Sequence, residues 1–211
     1  MKTKNLFLLL LLLVGLGSSV SAQNRLSENE IKAFKSNVQK VSQSTKSIQS
    51  DFTQTKQLSV LDNTIISKGH LAFKAPNLVK WEYTTPYKNS AIFKDDKLLV
   101  NNEGKKDEMD LSSNRLFRSL NTLIVNSIKG DMFDETQFEI SYFSSGAHYL
   151  VKFIPKDKRL KKFISTFELK FDKTSSQVNE VKLIEPNDDY TVIEFKNKQI
   201  NSTIPESVFK Q

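Results

Sequence analysis

The chain has no cysteine, two histidines, one tryptophan, six glycines and five prolines in 211 residues. Without cysteine there is no disulfide framework and no thiol chemistry, so stability must come from the apolar core. His70 and His148 lie far apart, with no H-x-x-x-H spacing, and no zinc site is expected. No G-x-S-x-G elbow and no G-x-x-x-x-G-K-[ST] loop occurs. The acidic pairs Asp95-Asp96 and Asp188-Asp189 fall at turns, where aspartate bonds to the backbone. Catalysis, a metal and a cofactor are therefore not expected.

Long hydrophobic runs are also missing, with one exception. Leu6 to Leu16 is apolar, Lys2 and Lys4 precede it, and Val20-Ser21-Ala22 puts small residues at a cleavage position. That pattern predicts an export signal over 1–22 rather than a membrane span. The expected mature chain is one domain over 23–211, working outside the cytoplasm. The formal net charge is +7, and the signal's two lysines supply part of it. The remaining lysines alternate with acids, as on an ordinary solvated surface, so nucleic-acid binding is not expected. The run Lys156 to Lys162 reads as a solvated basic loop.

What the chain does have is phenylalanine, fifteen of them. Ser27-Glu28-Asn29-Glu30 forms a capping box, and Ile31, Phe34, Val38 and Val41 follow at helical spacing with polar residues between. One amphipathic helix is predicted, ending near Thr45 to Ser47. The period then changes to two. Strands are predicted around Ile48–Gln54, Ile66–Phe73, Val79–Tyr83, Ile92–Phe93 and Leu98–Val100, each closed by a short polar turn. Residues 101–112 read as a polar loop. A second helix is predicted over Asn114–Lys129, with Leu116, Leu120 and Leu123 on its apolar face and Gly130 as its stop. Alternation resumes at Phe138–Tyr142, Tyr149–Phe153, Phe167–Phe171 and Val178–Leu183. It ends with Tyr190, Val192 and, after a slip, Phe195.

About ten to eleven short strands in sequence, joined by short turns, make an antiparallel meander. Twist accumulates across such a sheet and curls it, and each helix has one stripe to bury. The expected fold is α+β. It is an incomplete, unclosed antiparallel β-barrel whose concave face is covered by the helices as a lid.

A block of residues carries a more specific signal. Phe52-Thr53-Gln54 is followed by Gly69-His70-Leu71-Ala72-Phe73-Lys74-Ala75-Pro76 and by Asn77-Leu78-Val79-Lys80-Trp81-Glu82-Tyr83-Thr84-Thr85-Pro86. This resembles the outer-membrane lipoprotein carrier (LolA) family. Thr191 to Asn197, before a C-terminal Pro and Phe, is also similar. The resemblance implies a periplasmic protein, a monomer, that holds lipoprotein acyl chains in an apolar cavity. It implies loading by an inner-membrane ATP-driven lipoprotein release complex and delivery toward an acceptor at the outer membrane. Other readings of the same fold are a carrier of another lipid or acyl product, and a lipid-sensing periplasmic regulator.

The cavity is expected to be lined by Phe52, Leu71, Phe73, Val79, Trp81, Tyr83 and Ile92 on the sheet. Phe34, Val38, Val41, Leu116, Leu120 and Leu123 are expected from the lid. The resemblance puts Val79 near the cavity entrance, within reach of a partner. It also marks one departure. Family members carry an Arg before the signature proline that bonds to the lid helices, and here that position is Ala75. Lys74 is the adjacent candidate for the missing lock.

Overall fold

The computed structural model describes residues 23–94, 97–111 and 132–210. The signal over 1–22, the Asp95-Asp96 turn and the second helix with Leu116, Leu120 and Leu123 lie outside those residues.

One helix, α1 (Glu28–Ser44), precedes the main sheet. Its capping box forms as the sequence predicts: the Glu30 carboxylate accepts from the Ser27 N–H at 2.8 Å and from Ser27 Oγ at 2.6 Å. Phe34 and Val38 are its buried residues. A two-residue strand, β1 (Asn24–Arg25), lies ahead of it. The strands that follow are β2 (Ser47–Gln57), β3 (Ile65–Lys74), β4 (Leu78–Thr85), β5 (Asn89–Lys94), β6 (Lys97–Asn102) and β7 (Lys105–Asp110). After the undescribed segment come β8 (Phe138–Ser145), β9 (His148–Pro155), β10 (Thr166–Asp172), β11 (Val178–Ile184) and β12 (Tyr190–Ile200).

They form one 12-stranded sheet in the order β1-β8-β9-β10-β11-β12-β2-β3-β4-β5-β6-β7. Every pairing is antiparallel, and β1 and β7 are left as separate edges, so the sheet is not closed. The α+β open-barrel expectation holds, with two more strands than the pattern shows. β1 is too short to alternate. β7, Lys-Lys-Asp-Glu-Met-Asp, is exposed along its whole length and carries no apolar period. Turn chemistry makes it a strand. Glu103 and Gly104 both have positive φ, at 50° and 97°, as a two-residue hairpin of matching twist requires. Asn101 Oδ1 accepts from the Gly104 N–H at 2.9 Å. Its charges suit an edge, since they discourage further strand addition.

The core has three parts. Under α1, on β8–β10, lies an aromatic group that includes Phe34, Tyr142, Val151, Phe153, Leu169 and Phe171. On β2–β6 a second group includes Phe52, Leu71, Phe73, Val79, Trp81 and Phe93. A third, on the outer face, joins Ala72 and Ile92 to Ile204 and Phe209 of the C-terminal segment.

Gly69 explains one detail of the signature. A Cβ there would lie 2.0 Å from the Glu82 carbonyl oxygen and 2.7 Å from Phe52 Cζ. Only glycine lets the Phe52 ring sit over β3, edge-on to Trp81 and Tyr83 at 5.1 Å each.

Candidate ligand-binding cavity

Between the first two core groups the described residues leave a cavity of about 240 Å³. Its walls come from both: Val38, Phe167 and Phe171 from one, Leu71 and Trp81 from the other. The floor is the middle of the sheet, with Ile48, Val178, Val181, Leu183, Ile193 and Phe195. These strands are central in the order, where packing is normally deepest. Yet no residue of β11 or β12 is fully buried. Flanking β10 alternates buried and half-buried along its length. Apolar side chains in the middle of a sheet that keep solvent access face a space that the described residues do not fill.

The roof is held at both ends. Near its start, Phe34 meets Phe133, Tyr142, Tyr149 and Phe171, with ring centroids 5.0–6.2 Å away. Lys35 Nζ pairs with Glu135 at 2.9 Å and lies 5.2 Å from the centre of the Tyr142 ring. At its end Asn201 forms a clamp. Asn201 Oδ1 accepts from the Lys46 N–H at 2.7 Å, and its Nδ2 donates to the Ser44 carbonyl at 3.0 Å. The Asn201 backbone N–H donates to the Ser47 carbonyl at 2.9 Å, with φ at 58°.

That clamp bears on the missing arginine. The Ala75 N–H donates to the Lys46 carbonyl at 2.8 Å, so position 75 does lie beside the end of α1. Lys74 does not replace the lock. Its ammonium pairs instead with Glu206 of the C-terminal segment. The tie at this corner is made by Asn201, which no pattern in the sequence marks.

Four of the expected residues line the cavity: Val38, Val41, Leu71 and Trp81. Phe34 lies deeper, inside the aromatic group beneath α1. Phe52 and Phe73 are packed in the second core group, and Tyr83 packs against it with its hydroxyl donating to Gln54 at 3.0 Å. Two placements correct the sequence reading. Val79 is completely buried against its cross-strand neighbours Phe73 and Phe93, so it does not stand at an exposed mouth. Ile92 is on the outer face: it pairs with Lys80, one step out of phase with Trp81 and Val79, and packs with Ile204 and Phe209.

Several wall residues go beyond the expected set. Val181 and Leu183 alternate as in a packed strand, and Val178 joins their face through the register shift between β10 and β11. On β12 the structure shifts the phase: Ile193 and Phe195 face the cavity, whereas Val192 does not line it. Lys198 also reaches the wall. Among the described residues the Trp81 indole N–H is buried without a hydrogen-bond partner. No helix among them is long and apolar enough to cross a membrane, and no group of three or more acidic, His or Cys side chains converges.

An open antiparallel sheet, curled under a helix over an apolar chamber, is the class that this architecture defines. The chain belongs to the outer membrane lipoprotein carrier protein LolA family, whose model matches residues 43–211. No curated protein matches it in sequence. Among solved structures, a conserved protein of Thermus thermophilus is similar with a TM-score of 0.53 at 8% identity, over 86% of this chain and 93% of that one. MucB is similar with a TM-score of 0.53 at 10% identity, over 88% of this chain and 64% of that one. The Pseudomonas aeruginosa MucA/MucB complex gives 0.50 at 9%, over 86% and 61%. Identities this low speak to the fold alone.

Proposed function

We propose that this chain is a periplasmic carrier, not an enzyme, that takes lipoprotein acyl chains into the chamber and moves them from the inner to the outer membrane. An acyl chain gains roughly 0.8 kcal/mol per buried CH₂. Two chains of about sixteen carbons would therefore cost on the order of 25 kcal/mol bare in water. A dry chamber offsets that cost, and a roof tied at two points can open to release. The observation that carries this reading is the half-buried apolar floor of β11 and β12, at the centre of the sheet. The unpartnered Trp81 N–H supports it, as a donor suited to an ester or amide carbonyl near the head of a lipid. Energy for loading comes from an inner-membrane ATP-driven release complex, and an outer-membrane acceptor takes the cargo.

The size of the chamber favours a second reading. About 240 Å³ falls below the ~300–1,000 Å³ usual for ligand pockets and suits one tail better than two or three. The cargo would then be a free single-chain lipid on the same fold.

Mass spectrometry of protein purified natively from the periplasm tests both. Bound lipoproteins support the first reading, and bound free lipid supports the second. Trp81, the single tryptophan, should also change its emission when a long-chain fatty acid is added. No co-purifying lipid together with an unchanged spectrum would end the carrier reading.

A further inference from the structure

A lysine stands on the wall of this apolar chamber, and the backbone puts it there. Phe195 faces the chamber opposite Phe52, and strict alternation would point Asn197 inward next. Instead the β12–β2 register shifts between Lys196 and Gln199, with Asn197 at a φ of 53°. This bulge sends Asn197 to the outer face, where its Nδ2 donates to Asp51 at 2.7 Å. It turns Lys198 inward, to the wall it shares with Phe195. Bulges commonly re-aim one side chain in this way beside functional sites.

Among the described residues nothing neutralises the charge of Lys198. Its Nζ donates to the Val178 carbonyl and to Asn179 Oδ1. Both acceptors are neutral, and an ammonium has three donors, so one donor and the whole charge remain. Among the described residues no carboxylate forms an ion pair with it. Asp172 interacts with it from a distance, but that carboxylate is held in its own turn by the N–H groups of Thr174 and Ser175 and by Ser175 Oγ. Burial pulls the Lys198 pKa down to about 8, against the pull of Asp172. A half-buried cation without an anion is costly in apolar surroundings, and a ligand that brings one would recover part of that cost.

Polar and apolar ends of the chamber are separated. By strand register Lys198, Val178 and Ile48 share one end, Leu183 and Phe167 the other, and Val181 and Ile193 lie between. Ser176 and Gln177, in the turn before β11, line the wall at the lysine end.

We propose that Lys198 seats the anionic head group, carboxylate or phosphate, of a single-chain amphiphile whose tail runs along Val181, Leu183 and Ile193. Ser176 and Gln177 supply neutral donors beside it. The assignment rests on the acyl-chain reading above and adds the head-group chemistry to it.

The test compares four probes of one chain length on the mature wild-type protein, followed by Trp81 emission and calorimetry: palmitate, hexadecyl phosphate, hexadecanol and hexadecyltrimethylammonium. A charge-assisted bond should make the anions bind at least about tenfold more tightly than hexadecanol, and the cation should bind worst. Lys198→Met should remove the gap, bringing palmitate and hexadecyl phosphate down to the affinity of hexadecanol for the same variant, and Lys198→Arg should keep most of it. A preference for hexadecyl phosphate alone identifies a phosphate head group, and one for palmitate alone a carboxylate. Equal binding of palmitate, hexadecyl phosphate and hexadecanol by wild type overturns the role of Lys198 while leaving the acyl chamber standing. If none of the four binds, the acyl-chain reading fails with it. Should Lys198→Met melt early, the wild-type series still decides.

Discussion

Five side chains stand in one row across the sheet: Tyr142, Val151, Leu169, Val181 and Ile193. The first three are 5%, 0% and 0% exposed; the last two are only half-buried. Nothing in residue type separates the two groups, since a valine stands in each. What differs is the layer above. Over β8–β10 the rings of Phe34 and Phe133 fill the space beneath α1. Over β11 and β12 the end of α1 presents Val41, Ser42 and Thr45, and among the described residues these short side chains leave the space open. Among the described residues one sheet thus supplies a solid core on one side and a chamber wall beside it, and the shortening of the side chains along α1 follows the boundary.

The packed side should be the more fragile. Phe34→Ala removes the ring on which four aromatic neighbours converge. A loss of about 3–5 kcal/mol is expected from chemical denaturation. A loss under about 1 kcal/mol would mean that this side is no better filled than the chamber. Gly69→Ala strikes the second core group, where the new Cβ meets the Glu82 backbone rather than a movable side chain. The expected cost is roughly 1–3 kcal/mol, and an unchanged melting curve would contradict the close approach.

The corner beside Ala75 comes next in size. Asn201→Gly keeps the positive φ and removes the long Ser47 N–H bond together with the two shorter side-chain bonds, to Lys46 and Ser44. The two shorter bonds are exposed, so about 1 kcal/mol is expected. Amide exchange in the last turn of α1 should quicken, and so should exchange of a bound fluorescent fatty acid. Unchanged exchange at both would show that the roof is held elsewhere.

Which of these features can be read from the sequence follows from the same contrast. The capping box and the Phe34–Val38 stripe define α1 locally, and period two defines β2–β4 and β8–β11. Those signals depend only on which face is apolar. Depth does not enter them, so Leu169 and Val181 read alike although one is core and the other wall. Features set by backbone torsion are hidden. The bulge at Asn197, the hairpin at Glu103-Gly104 and the clamp at Asn201 each need a positive φ at a residue other than glycine, which the neighbouring sequence does not announce. Hence no pattern marks Lys198 or Asn201, and the alternation on β12 reads one step out of phase. Ile92 falls on the unexpected face because an isolated Ile-Phe pair offers either residue to the core.

The smallest expected effect is the sharpest test of the contrast, because it compares two members of the same row. Val151→Phe and Val181→Phe add the same ring, on the same face, with Leu169 as the shared cross-strand neighbour. At Val151 there is no room, and overpacking should cost about 1–3 kcal/mol. At Val181 the ring enters the chamber, so stability should change by no more than about 0.5 kcal/mol, while the ring occupies the volume a tail needs. Palmitate affinity should therefore fall in Val181→Phe and hold in whatever fraction of Val151→Phe remains folded. Equal destabilisation of the two variants would mean that the floor of β11 and β12 is packed as tightly as its neighbour, leaving no chamber for a ligand.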